Sequence, residues 1–303
     1  TNDIQPLQIW EYEVSTGARK LLKEYPVNGE YNPDDYVLEQ RWYESHDGTK
    51  VPATIMYRKG TQFPAPTLQY GYGSYGIFYS PRFSSRILSL VDRGVVFVMS
   101  HIRGGGDLGK YWHYDGHMLT KKNTFEDFVA VTAGIQEDGL TTPEQTVAMG
   151  GSAGGLLMGA VANMRPELYT SLIADVPFVD SLNTMLDDTL PLTVTEYEEW
   201  GNPNIPEYFE YMQSYAPYEN IRTGESYPNI LAIGGLHDPR VSYWEPTKWV
   251  ARLRDRVTNP EEMLLKIYMS GHSGTTGRFE MLKEVAFRYA FVLKTLGLMD
   301  AKE

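Results

Sequence analysis

The alternation of hydrophobic and polar positions changes its rhythm near residue 66. Before that point, residues 7–26 and 37–59 each have the pattern of two short strands, separated by polar turns at 16–17 and 47–48. Two strand patterns joined by a glycine-containing turn predict an antiparallel hairpin. We therefore expect a β-hairpin in each segment, the first with the rhythm of a propeller blade.

After residue 66, apolar segments of strand length alternate with helical periodicity. The strand candidates are residues 67–73, 94–104, 146–151, 171–177, 229–235 and 264–271. The helical patterns cover residues 125–136, 155–164, 245–257 and 279–296. Strands that alternate with helices predict an α/β fold, in which helices cover both faces of a mostly parallel sheet. We interpret residues 1–30 as the end of a separate all-β unit and residues 31–303 as one α/β domain.

The composition of the 303-residue chain limits the classes of protein to which it can belong. With 42% hydrophobic residues it can bury a large core, so we expect a globular protein. A net charge of −12 disfavours a nucleic-acid binder, which normally carries a basic surface, and mildly favours cationic ligands. The lack of cysteine excludes disulfides, cysteine-based metal sites and cysteine nucleophiles. We expect no cofactor and no metal.

No apolar run approaches the roughly 18 residues needed to cross a bilayer, and no signal-peptide pattern opens the chain. We therefore expect no membrane partner and a cytoplasmic protein, with a periplasmic location left open. Because the chain starts at Thr1 without an initiator methionine, we also expect it to be a processed or excised piece.

Residues 147–164, VAMGGSAGGLLMGAVANM, carry the strongest local motif. Gly150 to Gly154 fit G-x-S-x-G, directly after an apolar strand candidate and directly before a helical pattern. A serine on such a strand-to-helix turn exposes its hydroxyl, and the next N–H, that of Ala153, points at the oxyanion that forms during acyl transfer. The motif therefore predicts that Ser152 is a nucleophile. The alternative is a glycine-rich turn with an incidental serine.

A serine nucleophile needs a histidine base and an acid that orients the histidine. On a fold of this type, the acid and then the histidine follow the serine along the chain. Of the six histidines, His237 and His272 lie after Ser152. Asp238 and His272 follow the ends of neighbouring strand candidates, so we predict Asp238 as the acid and His272 as the base. His237 adjoins the acid and is interpreted as structural.

Two glycine-rich segments, GYGSYG (71–76) and GGGDLG (104–109), match the G-x-G-x-x-G pattern of dinucleotide-binding proteins. Neither is followed at once by a convincing helical pattern, and neither has the acidic residue that should end the next strand. We therefore reject a dinucleotide site. The first loop is instead expected to bring backbone and a tyrosine close to the nucleophile, where a second oxyanion donor belongs.

The segment LTVTEYEEWGNP, residues 192–203, places Glu196, Glu198 and Glu199 among aromatic residues and contains no lysine or arginine. Two interpretations are open at this point. The stretch is a solvated acidic helix face, or it lines a pocket that receives a positive charge from a ligand.

The motifs of the chain resemble the prolyl oligopeptidase family of serine peptidases, and within it the oligopeptidase B branch. The resemblance covers about residues 37–298. It rests on YGYGSYG, HIRGGGDLGKYWH, KKNTFEDF, GGSAGG, HDPRV and SGHSG in that order, with EYEEWGNP for the branch. It implies an α/β-hydrolase domain capped by a seven-bladed β-propeller that admits short peptides. Residues 1–30 would then be the last strands of that propeller.

The resemblance also implies roles for individual residues. Ser152, Asp238 and His272 would form the catalytic triad. Tyr72 would share the oxyanion hole with the Ala153 N–H. The residues implied to bind substrate are Glu196 and Glu198, which receive the arginine or lysine side chain before the scissile bond (P1), Arg240, which holds a substrate carbonyl, and Tyr75.

The predicted function is that of a serine endopeptidase that cleaves short peptides after arginine or lysine through an acyl-enzyme. The alternatives are a proline-specific peptidase or an esterase on the same scaffold, and a non-catalytic binding module. Glu196 and Glu198 count against the proline-specific version, and the complete triad counts against the module. Ser80 and Arg82 stand where relatives that prefer two basic residues carry two aspartates, and a positive Arg82 would repel a basic residue at P2.

Overall fold

The computed structural model describes residues 2–299, apart from the side chain of Arg278. Thr1 and residues 300–303, at the ends of the two predicted domains, lie outside the described residues. The strands are β1 (Gln8–Tyr12), β2 (Arg19–Glu24), β3 (Tyr36–Glu44), β4 (Lys50–Arg58), β5 (Thr67–Tyr70), β6 (Val96–Ser100), β7 (Thr146–Gly151), β8 (Ser171–Asp175), β9 (Asn229–Gly235) and β10 (Met263–Tyr268). The α-helices are α1 (Ser85–Val91), α2 (Lys110–Tyr114), α3 (Lys122–Glu137), α4 (Ala153–Met164), α5 (Ser181–Leu186), α6 (Thr193–Trp200), α7 (Pro206–Gln213), α8 (Trp244–Arg256) and α9 (Arg278–Thr295). Within residues 2–299, no helix has both the length and the apolar character needed to cross a membrane.

Eight of these strands form one sheet in the order β10-β9-β8-β7-β5-β6-β4-β3. The six strands from β10 to β6 run parallel to one another. β4 and β3 extend the sheet in antiparallel pairing, and together they form the second predicted hairpin. Parallel neighbours need long crossover connections, which here contain helices. The mostly parallel sheet predicted from the sequence is confirmed.

The side chains of β6 show how the sheet divides the core, because successive strand residues point to opposite faces. Val96 and Val98 pack in one hydrophobic cluster, while Phe97 and Met99 pack in another. The first cluster includes residues of α3, α4 and α8, and the second includes residues of α1 and α9. Helices therefore cover both faces, as predicted. Each large apolar side chain buried between the layers stabilises the fold by roughly 1.5–3 kcal/mol.

The hairpin of β1 and β2 forms a separate two-stranded sheet, at the place predicted for it. All six residues of β2 and four of the five in β1 are exposed. Trp10, Tyr12 and Leu22 are among them, with 49%, 57% and 55% of their surface accessible. An isolated two-stranded hairpin is marginally stable in water. Its assignment to a propeller stays a prediction.

The glycines of loops 71–76 and 104–109 permit close packing between two backbones. A Cβ on Gly104 would lie 2.1 Å from the carbonyl oxygen of Gly73, and a Cβ on Gly106 would lie 2.2 Å from that of Gly76. No side chain fits at such distances, so glycine is required where the loops touch. The pattern that resembles a dinucleotide fingerprint therefore has a structural explanation.

Candidate active site

The three predicted triad residues lie at one edge of the sheet. Ser152 follows β7, Asp238 follows β9, and His272 follows β10. The carboxyl ends of parallel strands meet at the same edge, so the loops that leave these strands converge. The edge brings together Ser152 and His272, which are 120 residues apart in the sequence.

Ser152 occupies a sharp turn between β7 and α4. Its φ of 58° and ψ of −116° are strained for a residue with a side chain. Its N–H donates to the Asp175 carbonyl oxygen at 2.8 Å, and its carbonyl oxygen accepts the Gly155 N–H at 2.8 Å. A Cβ on Gly155 would lie 2.4 Å from Pro177, so α4 can start this close to the loop after β8 because residue 155 is glycine. This turn holds the serine hydroxyl at the edge of the sheet.

His272 connects the serine to the acid. Its Nε2 lies 3.0 Å from Ser152 Oγ, and its Nδ1 lies 2.7 Å from Asp238 Oδ2. Because a carboxylate only accepts hydrogen bonds, His272 donates from Nδ1 and accepts the serine hydroxyl at Nε2. The structure thus places the three residues in one hydrogen-bonded chain.

The Asp238 carboxylate is fixed by its own loop. Its Oδ1 accepts the N–H groups of Arg240 and Val241 at 2.8 and 3.1 Å. Burial opposes its ionisation, but the hydrogen bonds from His272 and from these two N–H groups outweigh burial and keep the pKa of Asp238 below its usual range. The carboxylate is therefore charged at neutral pH and can stabilise a positive charge that forms on His272.

Two groups are candidate donors to an oxyanion at Ser152. Ala153 is the first residue of α4, so its N–H has no acceptor within the helix. Tyr72 lies in the loop after β5 and lines the same cavity as Ser152. Burial, together with the nearby charges of Glu199 and Glu196, raises the pKa of Tyr72 to about 12. Its hydroxyl therefore keeps its proton at neutral pH and can donate a hydrogen bond.

A cavity of about 400 Å³ opens beside Ser152. Apolar and aromatic side chains make up much of its wall, with Phe178, Met185 and Trp200 among them. Two charged residues, Glu196 and Arg240, also line it. A cavity with apolar walls and a carboxylate suits a long side chain that has an aliphatic stem and a cationic end.

Glu196 lies in the cavity wall, and one of its two carboxylate oxygens already accepts hydrogen bonds from the protein. Its Oε2 accepts the Tyr75 hydroxyl at 2.6 Å and the Trp200 Nε1–H at 3.0 Å. Among the side chains that the structure describes, no lysine, arginine or histidine forms an ion pair with Glu196. Its negative charge is therefore available to a cation in the cavity.

Glu198 lies on a different side of α6 from Glu196, because helix residues two apart are separated by roughly 200° around the axis. Glu196 and Trp200, four residues apart, share the face that lines the cavity. Glu198 is exposed and is absent from the cavity wall. The structure thus brings one of the two predicted P1 glutamates to the cavity. The position of Glu198 gives no support to the substrate-binding role predicted for it.

Glu199, the third glutamate of α6, is buried. Its Oε1 accepts the Tyr75 N–H at 2.8 Å, and its Oε2 lies 2.8 Å from His113 Nε2. Sequence reasoning gave Glu199 no role. The helical period could have indicated that Glu199 faces the protein interior, since it lies three residues after Glu196 and next to the buried Trp200.

Of the remaining predicted residues, two line the cavity and two do not. Arg240 is exposed and lines it, as does Tyr75. Ser80 and Arg82, which the sequence relates to P2, are exposed and lie outside its wall. Arg82 borders a separate cavity that Arg288 also lines. The effect of Ser80 and Arg82 on P2 preference stays a prediction.

The set of groups at this edge defines the chemistry that it can perform. Within residues 2–299, no cluster of three or more histidine, aspartate or glutamate side chains is arranged to hold a metal ion. The site offers a serine hydroxyl hydrogen-bonded to a histidine, two candidate oxyanion donors, and a carboxylate in a cavity with both apolar and polar walls. Such a set suits attack by the serine on a carbonyl carbon, with a cationic group of the substrate held nearby.

The sequence pattern of the prolyl oligopeptidase family matches residues 81–299. The chain belongs to the prolyl oligopeptidase family. Among the family's curated members, dipeptidyl aminopeptidase BI of Pseudoxanthomonas mexicana is 46% identical over 302 residues, which are 98% of this chain and 42% of that protein. Protease 2 of Moraxella lacunata is 45% identical, over 99% of this chain and 44% of that protein.

Solved structures of family members share the fold of this chain. Oligopeptidase B from Leishmania major matches with a TM-score of 0.93 at 45% identity, over 98% of this chain and 42% of that one. Oligopeptidase B from Trypanosoma brucei, in a closed form with covalently bound antipain, matches with a TM-score of 0.93 at 46% identity, with the same coverage. The chain spans less than half the length of these relatives. The family and the α/β-hydrolase fold predicted from the motifs are confirmed.

Proposed function

We propose that this chain is the catalytic part of a serine peptidase that hydrolyses short peptides after arginine or lysine through an acyl-enzyme. The observation that carries the proposal is the Ser152–His272–Asp238 chain, which opens onto a cavity with Glu196 in its wall. The similarity of the whole sequence to proteins named oligopeptidase B, protease 2 and dipeptidyl aminopeptidase BI also supports the proposal. An esterase or a proline-specific peptidase on the same scaffold is disfavoured, because neither needs a carboxylate in this cavity.

The reaction begins when Ser152 Oγ attacks the carbonyl carbon of the P1 residue and His272 Nε2 takes the hydroxyl proton. Negative charge moves onto the carbonyl oxygen, where the Ala153 N–H and the Tyr72 hydroxyl donate hydrogen bonds. His272 then gives its proton to the leaving amine, the C–N bond breaks, and an ester remains on Ser152. A water molecule, with His272 again as base, hydrolyses this ester and restores the serine hydroxyl.

Glu196 gives the cavity its preference for a cation. A partly desolvated carboxylate without a cationic partner is unfavourable until a substrate cation pairs with it. Tyr75 and Trp200 hold Oε2, which leaves Oε1 for the substrate. Phe178 and Met185 can pack along the aliphatic stem of an arginine or lysine. A neutral P1 side chain leaves the carboxylate unpaired, so the cavity discriminates against it.

We infer that the chain functions as part of a longer protein, in which a β-propeller restricts the substrates to short peptides. The coverage of the relatives supports this inference, because the chain spans 42% and 44% of two curated family members. The hairpin of β1 and β2 also supports it. This hairpin is exposed along almost its whole length. Such exposure is expected of strands that pair or pack with further strands in a larger sheet, because a two-stranded hairpin alone is marginally stable.

A fluorophosphonate probe tests the proposed nucleophile, because it bonds covalently to an activated serine. We expect mass spectrometry to locate the probe on Ser152. Ser152→Ala should lose both labelling and the hydrolysis of arginine-amide reporters, while Ser89→Ala, on α1, should keep both. Hydrolysis that survives in Ser152→Ala, or labelling at another serine, would contradict the proposal.

A further inference from the structure

The loop of residues 71–76 carries two groups on which the proposed reaction depends. Tyr72 provides the oxyanion hydroxyl, and the Tyr75 hydroxyl donates to Glu196. The loop lies between β5 and α1, outside the strands and helices. Tyr75 has a φ of 59°, a strained conformation that persists where surrounding groups hold it. The contacts that fix this loop therefore matter for the chemistry.

The side chain of Lys121 reaches this loop from the start of α3 and is 1% exposed. Its Nζ donates to the Gly73 carbonyl oxygen at 2.5 Å, to Ser74 Oγ at 2.8 Å and to the Gly116 carbonyl oxygen at 3.1 Å. All three donors of the ammonium group are thus used, two of them on the loop. The ammonium group also lies 5.1 Å from the centre of the Trp200 ring.

A buried ammonium group is unfavourable unless its hydrogen bonds and its surroundings compensate for lost hydration. Burial lowers the pKa of Lys121 to about 8, against the attraction of the Glu199 carboxylate. Among the described side chains, none forms an ion pair with Lys121. Lys121 is therefore held mainly by the polar atoms of the loop, and the loop is held by Lys121 in return.

Glu199 holds the same loop at its other end. Its carboxylate accepts the N–H of the strained Tyr75 at 2.8 Å and lies 2.8 Å from His113 Nε2. Lys121 thus fixes Gly73 and Ser74, just after Tyr72, while Glu199 fixes Tyr75 itself. Neither Lys121 nor Glu199 lines the substrate cavity.

We propose that Lys121 and Glu199 are positioning residues, which clamp residues 71–76 so that Tyr72 and Tyr75 face the substrate. This inference rests on the proposed peptidase function, since Tyr72 and Tyr75 belong to the proposed active site. It acts through preorganisation, because an oxyanion donor is effective when it is already in place as charge develops.

The first test is a double-mutant cycle in the full-length protein that contains this chain. Lys121→Met should lower kcat for an arginine-amide reporter by about 100-fold, comparable to the loss of one oxyanion donor. In a Tyr72→Phe background the same change should lower kcat by less than about threefold, because the hydroxyl that it positions is already gone. Lys122→Met, the neighbouring lysine, should match its parent in both backgrounds. A Lys121→Met effect that is equal in both backgrounds would overturn the proposal.

The second test needs no turnover. Amide hydrogen exchange of residues 71–76 should be faster in Lys121→Met than in wild type or Lys122→Met, with exchange in β7 and β9 unchanged. Glu199→Met, which removes both carboxylate oxygens and so the acceptor of the Tyr75 N–H, should accelerate exchange at Tyr75. Unchanged exchange of the loop in both variants would rule out the clamp. If the wild type neither hydrolyses the reporter nor reacts with the fluorophosphonate, the peptidase function fails, and the exchange result still decides whether Lys121 and Glu199 hold the loop.

Discussion

At the scale of single residues, Tyr72 shows how surroundings prepare an ordinary side chain for a reaction. A phenol in water ionises near pH 10. Burial, reinforced by nearby negative charges, raises the pKa of Tyr72 to about 12. The hydroxyl therefore keeps its proton at neutral pH, and in the proposed reaction it would donate a hydrogen bond to the oxyanion as it forms.

Tyr72→Phe removes this hydroxyl and keeps the ring. We expect kcat for an arginine-amide reporter to fall by about 100-fold, because the loss affects the transition state more than the bound substrate. KM should change little. Steady-state kinetics measure both values, and Tyr111→Phe, at a tyrosine that is 81% exposed, is the control. An unchanged kcat in Tyr72→Phe would contradict an oxyanion role.

At the scale of elements, a buried glutamate joins α8 to the wall of the cavity. Glu245, near the start of α8, accepts the Asp180 N–H at 3.0 Å and the Thr184 hydroxyl at 2.8 Å. Asp180 precedes α5, and Thr184 lies within α5 and lines the cavity. Burial raises the pKa of Glu245 to about 8. The connection between α5 and α8 therefore depends on a carboxyl group that is protonated at neutral pH.

This raised pKa predicts how stability depends on pH. Between pH 4.5 and 8 the unfolded chain has released the Glu245 proton while the folded protein retains it, so the free energy of unfolding falls as pH rises. Glu245→Gln cannot ionise and should gain stability relative to wild type across this window, by at most about 1.4 kcal/mol per pH unit. Urea unfolding at pH 5, 6.5 and 8 measures the difference. Glu207→Gln, at an exposed glutamate of α7, is expected to track wild type.

Parallel unfolding curves for Glu245→Gln and wild type at all three pH values would contradict the protonated state of Glu245. The amide can keep both contacts, since its oxygen accepts one N–H and its NH₂ can donate to the Thr184 hydroxyl. If the stability of Glu245→Gln relative to wild type rises with pH, the cause is therefore the proton on Glu245 and not a lost hydrogen bond.

The sequence predicted the long elements better than the short ones. α3, α4, α8 and α9 have 12 to 18 residues and lie where helical periodicity was found. Helices α1, α2 and α5 have five to seven residues, fewer than two full turns, so they show too little periodicity to be recognised. Their form depends on packing against the rest of the chain.

Some residues of the candidate site could likewise be predicted from the sequence, and others could not. Ser152, Asp238 and His272 could be placed because each follows a strand, and strand ends are visible in the sequence. Lys121 carries a weaker signal: it lies four residues before Phe125, which is buried on α3. Its role could not be predicted, since its partners are backbone groups of a loop whose path no local pattern specifies.

At the scale of the whole molecule, the described chain contains one large sheet and a small hairpin with an apolar surface. Ile9, Trp10, Tyr12, Leu21 and Leu22 of the hairpin all have more than 40% of their surface accessible. Exposed apolar clusters of this kind normally mark an interface. The hairpin is therefore expected to be ordered by the domain that we infer to accompany this chain.

Limited trypsin digestion tests this inference at β2, which contains Arg19, Lys20 and Lys23. In the isolated chain of 303 residues, trypsin should cut after these residues early, because a lone hairpin opens readily. In the full-length protein the same sites should resist, while exposed sites on α9 such as Lys283 serve as the internal comparison. Equal cleavage of β2 in both proteins would argue against a propeller around the hairpin.

The central claim is that Ser152 chemistry is directed to basic residues by Glu196. The most direct measurement compares kcat/KM for two amide reporters that differ at P1, one with arginine and one with its neutral isostere citrulline, in wild type, Glu196→Gln and Glu198→Gln. We predict a wild-type preference for arginine that Glu196→Gln reduces by on the order of a hundredfold or more, since a desolvated charge pair is lost. Glu198→Gln should reduce it less, because Glu198 is exposed. An arginine preference that is equal in wild type and Glu196→Gln would contradict the account.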